Sequence, residues 1–275
     1  NMRYVYAIVV ASVAFLPAIG PISFSPELAL VVGNLALAPF AQRQKLILKL
    51  ARLRKITPSI YEFSLPKPAG FHFKAGQYIE WMVPHKKTDS RGTRRYFTIV
   101  SAPEEAELRL AFKLPEKASS YKTAMINLKA GDVVIGSQRS GDFLLPKNVD
   151  EKLGFIAGGI GVTPFVSHVT SIGANNERRD IATLYCVATA ADMAYREKLA
   201  QAGVLVPVVG NGEVPIGGES GYLSNDIITR RVPDYESRTW YISGPPKMVD
   251  AAYRSLRTLG VPARRIHRDF FPGLA

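Results

Sequence analysis

The chain has 275 residues, with 35 Lys and Arg against 23 Asp and Glu and a net charge of +12. At roughly 100 to 200 residues per domain, this length predicts about two domains. The single cysteine, Cys186, excludes an internal disulfide, a Cys-based zinc site and an iron–sulfur cluster held by four thiolates, so redox chemistry here needs an organic cofactor or a partner.

The first 41 residues are strongly apolar. Between positions 4 and 41 the only charged residue is Glu27, and prolines and glycines at positions 17–26 divide the stretch into two arms. Each arm is shorter than the roughly 20 residues that a straight membrane-spanning helix needs. The preferred interpretation is a membrane-associated helical hairpin over residues 1–43. The alternatives are a cleaved signal peptide and a soluble apolar segment packed on the rest of the chain or on a partner.

A dense run of basic residues follows this apolar segment. Its members are Arg43, Lys45, Lys49, Arg52, Arg54 and Lys55. Such clusters flank membrane segments on the cytoplasmic side, so we expect the catalytic domains on the cytoplasmic side of the cell membrane. A solvated strand face is the alternative. The chain has no nucleic-acid-binding motif and no basic patch interleaved with aromatic residues, so nucleic acid is not expected as a partner.

Short strands separated by turn signals are predicted from residue 44 to residue 150. The predicted strands cover residues 46–55, 59–65, 77–83, 95–100, 108–113 and 133–137, and one helix covers residues 120–128. Six short strands with one helix predict a small closed antiparallel β-barrel.

The pattern changes to alternating strands and helices over residues 151–275. Strands are predicted at 153–157, 181–187, 204–209, 240–243 and 265–271, with helices after the first strand and at 192–200, 224–230 and 248–259. This alternation predicts a doubly wound parallel sheet, in which ligands bind at the carboxyl ends of the strands.

A glycine-rich turn follows the first strand of this second domain. It reads Gly158-Gly159-Ile160-Gly161-Val162-Thr163-Pro164. Thr163 is expected to cap the next helix and Pro164 to take its first position, where free N–H groups attract phosphate. The alternative is a purely structural tight turn. The spacing differs from the G-x-G-x-x-G dinucleotide fingerprint.

The second motif, Arg94-Arg95-Tyr96-Phe97-Thr98, lies on a predicted barrel strand. Alternation places Arg95 and Phe97 on one face and Tyr96 and Thr98 on the other. A guanidinium beside an aromatic ring suits a ligand that combines phosphate with a flat ring system. An Arg packed beside a core Phe is the equally weighted alternative.

Two more motifs end late strands. Residues 241–249 read YISGPPKMV and include Ser243, Gly244, Pro245, Pro246 and Met248. Residues 268–273 read RDFFPG and place Asp269 beside Phe270 and Phe271. The first motif lies at the predicted ligand edge of the sheet. Aromatic residues at a chain terminus belong to the core more often than they contact a cofactor.

In this order and spacing, the four motifs resemble the ferredoxin-NADP reductase superfamily of flavoprotein oxidoreductases over residues 45–275. The resemblance implies that the antiparallel barrel binds FAD and that the α/β domain binds NADH or NADPH. It further implies hydride transfer from the nicotinamide to FAD, followed by electron transfer to an acceptor.

The resemblance also assigns roles on the flavin side. It implies that Arg95 holds the pyrophosphate, that Phe97 stacks on the isoalloxazine and that Thr98 lies near flavin N5, with Tyr96 inside the same cofactor-binding motif. Phe97 stands where the family has Tyr, which keeps the stacking but loses a hydroxyl. A second phosphate site at a helix start corresponds to Ser119 or Ser120, and the choice between them stays open.

On the nucleotide side, the glycine-rich turn matches the family's pyridine-nucleotide turn. The segment from Ser243 to Pro246 matches the motif near the nicotinamide, with Ser in place of the Cys of many members. Phe270 or Phe271 corresponds to the terminal aromatic that covers the flavin until the nicotinamide displaces it. Asp269 is a candidate proton donor. No metal site is predicted.

The sequence constrains the electron donor and the electron acceptor less than it constrains the cofactor sites. NADH is preferred over NADPH because residues 187–191 offer no Arg for a 2′-phosphate, although Arg196 lies close by. The expected acceptor is a separate protein, a free flavin, a quinone or a membrane redox domain. Residues 33–40 resemble the last membrane helix of the flavin-carrying subunit of Rnf and sodium-pumping NADH:quinone reductase complexes. The competing hypothesis is a non-catalytic FAD-binding relay subunit of a membrane redox complex.

Overall fold

The computed structural model describes residues 45–86, 88–90 and 92–271, together with Gly33. The hairpin predicted over residues 1–43 lies outside these residues apart from Gly33, and it stays a prediction. Within the described part of the chain, no helix has both the length and the apolar character to cross a membrane.

Seven strands form two sheets in the first half of the described chain. They are β1 (Leu46–Lys49), β2 (Arg52–Lys55), β3 (Ile60–Pro66), β4 (Tyr78–Met82), β5 (Arg94–Thr98), β6 (Glu107–Lys113) and β7 (Val133–Ser140). One sheet has the order β1-β7-β4-β5 and the other β2-β3-β6, and a bridge between Ile99 and Leu110 connects them. The pairs β2-β3, β3-β6, β4-β5 and β4-β7 are antiparallel. The predicted antiparallel barrel is thereby confirmed.

The strand predicted over residues 46–55 is divided into two. Leu50 donates its N–H to the Asp132 carbonyl, just before β7, whereas Ala51 donates to the Ser64 carbonyl of β3. The chain therefore passes from one sheet to the other between these two residues. Because Leu50 is buried, the crossing is anchored in the core.

The second half is a six-stranded parallel sheet. Its strands are β8 (Leu153–Gly158), β9 (Ile181–Val187), β10 (Val204–Val209), β11 (Glu219–Ser220), β12 (Thr239–Gly244) and β13 (Ile266–Phe270). The order β11-β10-β9-β8-β12-β13 confirms the predicted doubly wound sheet. The first strand, β8, lies next to β12, so the direction of winding reverses between them and opens a crevice at their carboxyl ends. The short strand β11 has no counterpart in the sequence-based prediction.

Five α-helices complete the described residues. They are α1 (Ser120–Ile126), α2 (Thr163–Ala174), α3 (Arg196–Ala202), α4 (Asn225–Arg231) and α5 (Pro246–Thr258). The helix predicted over residues 192–200 begins later, at Arg196, because Tyr195 has φ +57° and a left-handed residue cannot continue an α-helix. Residues 190–192 form a 3-10 turn instead.

Direct contacts hold the barrel against α2 and β12. The Ser167 hydroxyl donates to the Ser101 carbonyl at 2.7 Å, and Tyr241 donates to the Leu144 carbonyl at 2.9 Å. His168 is buried with Nε2 3.0 Å from the Phe143 carbonyl, and burial lowers the pKa of its imidazole to about 4. A neutral His168 is therefore a structural hydrogen-bond donor at neutral pH.

Candidate functional site

A cavity of about 570 Å³ lies where the barrel meets the carboxyl end of the parallel sheet. It is lined by β5, β6 and the start of α1 on the barrel side, and by Ile160 and residues 268–271 on the other side. Its volume is typical of small-molecule sites, which span roughly 300–1,000 Å³. The strand motif of the barrel and the terminal aromatic motif, 170 positions apart in the chain, therefore meet in one cavity.

Strand β5 presents its two faces as the alternation predicts. Arg95 and Phe97 both pack on Tyr121, with the guanidinium carbon 4.9 Å from the ring centroid and the two rings stacked at 6.2 Å. On the other face, Tyr96 packs edge-on against Tyr78 and stays 65% exposed. Thr98, at the end of the strand, is buried at the cavity wall. All five residues of the motif, Arg94 to Thr98, line the cavity, and Tyr96 lies at its exposed rim.

The guanidinium of Arg95 is engaged inside the protein. Its Nη2 lies 2.7 and 2.9 Å from the two carboxylate oxygens of Asp89, and Nη1 donates to the carbonyls of Gly92 and Arg94. Only 16% of the Arg95 side chain is exposed. Arg95, the residue predicted to bind phosphate, therefore lies at the cavity wall, and its guanidinium already binds a carboxylate of the protein.

The start of α1 distinguishes the two candidate serines. Ser119 is the N-cap of the helix, where its hydroxyl accepts from the Lys122 N–H at 3.3 Å, and it lines the cavity. Ser120 lies 3.3 Å from Nε2 of His85 and does not line the cavity. Of the pair, Ser119 is the one whose position suits a ligand in this cavity.

A half-buried carboxyl group occupies the sheet side of the cavity. Asp269 lies next to Ser243, whose hydroxyl is 3.4 Å from its Oδ2. Burial is the main cause that raises the pKa of Asp269; the Ser243 hydrogen bond lowers it, the nearby charge of Asp142 raises it, and the net value is about 6. Asp269 can therefore gain or lose a proton close to neutral pH, as the proton-donor prediction requires.

The two terminal aromatics both line the cavity but differ in burial. Phe270 is 40% exposed and lies 5.5 Å from the Arg268 guanidinium. Phe271 is half-buried against the core, and its N–H donates to the Gly244 carbonyl at 3.1 Å. The Phe271 backbone thus continues the β12–β13 pairing into the cavity, which makes it the better placed of the two to cover a ring there.

The glycine-rich turn lies at the carboxyl end of β8. A Cβ at Gly158 would collide with Met248, and one at Gly161 would collide with the backbone of Ser243 and Gly244. Gly159 has φ +52° and faces open space. Close packing of this turn against the β12–α5 turn therefore explains two of the three glycines, which supports the structural alternative for them.

The capping prediction for this turn is wrong. Residues 159–162 form a 3-10 turn, Val162 is the N-cap of α2, and Thr163 is its first residue. The Thr163 hydroxyl donates to the Ile160 carbonyl instead of accepting from a helix N–H. The extra 3-10 turn shifts the helix start by one residue, and Pro164 still occupies the first turn, as its fixed φ favours.

The motif of residues 243–248 lies directly across from this turn. Ser243 is fully buried, Pro245 is the N-cap of α5, and Pro246 begins that helix. Met248 and Gly244 fill the space beside Gly158. These residues form the second wall of the crevice between β8 and β12, although only residues 160 and 268–271 of the sheet side reach the cavity wall.

Comparisons with known proteins agree with this architecture. Residues 155–254 match the oxidoreductase NAD-binding domain family. The chain is 27% identical over 239 residues to the reductase component of propane 2-monooxygenase from Rhodococcus jostii, covering 81% of this chain and 62% of that protein. It is 27% identical over 220 residues to the NADH oxidoreductase HCR of Escherichia coli, covering 80% and 66%. The chain thus spans less than two thirds of the length of these relatives.

Solved structures share the whole described fold. A cytochrome P450 reductase from Amycolatopsis superimposes with a TM-score of 0.72 at 25% identity, covering 83% of this chain and 70% of that chain. A ferredoxin-NADP+ reductase from Neisseria gonorrhoeae with bound FAD and NADP gives a TM-score of 0.70 at 20% identity, covering 82% and 98%. The described residues therefore have the fold of the ferredoxin-NADP reductase-like oxidoreductases.

The cavity of this reductase-like chain has the chemistry that a flavin needs. Phe97 and Phe271 supply aromatic surface from the two sides, and Thr98 supplies a hydroxyl. Arg95 and Lys122 supply positive charge for phosphate at the barrel side. An apolar pocket with a few polar groups is the usual form of a cofactor site, and these residues fit an isoalloxazine with a phosphorylated side chain.

Two residues that line the cavity and one that lies behind its wall were not predicted from the sequence. Tyr121 forms the aromatic floor under Arg95 and Phe97, Asp142 lies near Asp269, and Asp89 binds Arg95. They come from α1 and from two loops, and no local motif marks them. Cys186 lies on β9 with its pKa raised to about 12 by burial, as expected for an unreactive thiol.

Proposed function

We propose that this chain is an NAD(P)H-dependent, FAD-containing reductase that passes electrons to a separate acceptor protein. One observation carries the proposal: the β5 motif and residues 268–271, at the carboxyl edge of the parallel sheet, line the same cavity. A flavin in this cavity is within reach of a nucleotide bound at that edge. The names of the relatives, as reductase components and an NADH oxidoreductase, support the same reaction.

The barrel side is proposed to bind and orient the flavin. The bound flavin supplies the chemistry, because its ring accepts a hydride from reduced nicotinamide. Phe97 would stack on the ring, the buried Thr98 hydroxyl would offer a hydrogen bond to it, and Arg95 with Ser119 would hold phosphate. Holding the two rings in a productive geometry is the main contribution of such a site to the rate.

The sheet side is proposed to admit the nicotinamide. The crevice between the turns after β8 and β12 receives the dinucleotide, with Gly159 as the glycine open to it. Asp269, held by Ser243, would lie at the sheet side of the bound rings, and Phe271 would cover the flavin face that the nicotinamide has to reach. With a pKa of about 6, the Asp269 carboxyl could hold or release a proton there.

NADH is the proposed donor. The chain after β9, at residues 187–191, carries no basic residue that would select a 2′-phosphate. The E. coli relative is named an NADH oxidoreductase.

The proposed acceptor is a protein, by analogy with the oxygenase systems to which the named reductase components belong. We also propose that residues 1–43 hold the chain at the cytoplasmic side of the cell membrane, on the support of the apolar stretch and the basic run that follows it. Recovery of the full chain in the soluble fraction of lysed cells would contradict this membrane attachment.

The test of the proposed function is an absorbance spectrum of the purified protein before and after anaerobic addition of NADH or NADPH. We expect a flavin spectrum that bleaches with NADH and much more slowly with NADPH. A colourless protein that takes up no FAD would refute the proposal. Steady-state NADH oxidation with ferricyanide then separates the enzyme from the relay subunit, since a relay would bind FAD without turnover.

A further inference from the structure

The ion pair between Asp89 and Arg95 lies at the place where the proposed function puts the flavin phosphate. Arg95 lines the cavity and rests on the Tyr121 ring, whereas Asp89 is on the loop between β4 and β5 and does not line the cavity. The carboxylate therefore reaches the guanidinium from behind the cavity wall.

The contacts use the donors that a phosphate would need. Both Nη atoms of Arg95 bond to protein oxygens: Nη2 to Asp89, and Nη1 to the carbonyls of Gly92 and Arg94. Carboxylate and phosphate bind the guanidinium fork through the same N–H groups. A phosphate that arrives at Arg95 must therefore share or replace the contacts of Asp89.

Sharing is unfavourable because two anions held a few ångströms apart repel each other. Replacement is open to Asp89, because 26% of its side chain is exposed and the carboxylate already faces water in part. Gly92, with φ +68°, donates its N–H to the Asp89 carbonyl, so a tight turn carries this carboxylate. Asp89 is the single acidic residue among residues 84–95, beside five basic ones.

We propose that Asp89 is an internal anion that occupies the phosphate position at Arg95 and exchanges with the phosphate of an incoming flavin. This inference rests on the proposed function. The apparent dissociation constant of a phosphorylated flavin is then raised by the fraction of protein in which Asp89 holds Arg95. Asp89 thereby sets how tightly FAD is retained. The dissociation constant of riboflavin, which has no phosphate, is unaffected by Asp89.

The experiment measures flavin affinity rather than activity. The apoprotein and its Asp89→Asn variant are titrated with FAD, FMN and riboflavin, and quenching of flavin fluorescence reports binding. We expect Asp89→Asn to tighten FAD and FMN by about tenfold, the change for one charge-assisted contact, and to leave riboflavin unchanged. Asp226→Asn is the charge-matched control, since Asp226 pairs with Arg230 on α4 outside the cavity.

Three results would overturn the inference. Weaker FAD binding in Asp89→Asn would show that Asp89 holds Arg95 in position for phosphate. Equal changes for FAD and riboflavin, or equal changes in Asp226→Asn, would show an effect on the fold or on net charge. The same flavin titration is repeated with an Asp89→Ala variant whose thermal midpoint is unchanged. This variant removes the carboxylate without placing an amide at the position. Failure of the wild-type apoprotein to bind any flavin would instead refute the proposed function and the inference together.

Discussion

The two walls of the cavity are built on different principles. The barrel wall takes its chemistry from consecutive residues of one strand, Arg95 to Thr98, with Tyr121 beneath them. The sheet wall is assembled from strand ends, where Ser243 meets Asp269 only because β12 and β13 are paired. The barrel wall is a linear sequence motif, whereas the sheet wall consists of residues that strand pairing brings together. A substitution on the barrel wall should therefore change ligand binding, and one on the sheet wall should also change stability.

The largest expected effect tests the barrel wall. Arg95→Ala removes the cation proposed to hold phosphate, and we expect FAD affinity to fall by about 100-fold. The flavin content of the purified variant, measured by absorbance, checks this. Arg52→Ala on β2, which removes an exposed ion pair with Glu107 of β6, is the matched control and should retain flavin. Unchanged flavin content in Arg95→Ala would contradict the assignment of this motif.

The next prediction tests the packing of the sheet wall. In Gly161→Ala the new Cβ meets the backbone of Ser243 and Gly244, and we expect a loss of about 2 kcal/mol in the free energy of unfolding. Chemical denaturation measures this. Gly173→Ala, on α2 with no atom near its Cβ position, is the control and should raise stability slightly. Equal stability of the two variants would show that Gly161 serves a ligand rather than packing.

A third prediction concerns the pH dependence of stability. The pKa of Asp269 is about 6 in the folded chain against an ordinary value of 3.8, so the folded state binds a proton more tightly than the unfolded chain. The protonated carboxyl therefore stabilises the fold below about pH 4, and this contribution is lost as pH rises to 6.

Asp269→Asn does not titrate, so it tests this linkage directly. We expect its stability relative to wild type to increase by roughly 2 kcal/mol between pH 4 and pH 7. Urea unfolding at the two pH values gives the difference. The same relative stability at both pH values would show that Asp269 has an ordinary pKa.

The smallest expected effect concerns the reaction itself. Thr98→Ala removes the buried hydroxyl proposed to lie at the reacting edge of the flavin, and we expect about a tenfold slower anaerobic reduction by NADH with unchanged FAD content. Stopped-flow absorbance measures the rate. Thr98→Ser keeps the hydroxyl and should restore the rate of reduction. A wild-type rate in Thr98→Ala would show that the Thr98 hydroxyl does not contribute to the reaction.

Much of the fold was predictable because its signals are local. Alternating apolar residues and turn signals predicted the barrel strands, and the change to longer strand-helix units predicted the parallel sheet. The departures have nonlocal or backbone causes. The split at Leu50 depends on Asp132 and Ser64 as hydrogen-bond partners, and the late start of α3 depends on the left-handed Tyr195.

The amino-acid sequence by itself determined the two-part architecture, the order of the four motifs and the shared face of Arg95 and Phe97, since these follow from periodicity along the chain. Only the tertiary structure decided that Ser119 rather than Ser120 lines the cavity, that Gly158 and Gly161 are required by packing, and that Asp89 binds Arg95. These features depend on which distant segments come within a few ångströms, and no local pattern encodes that distance.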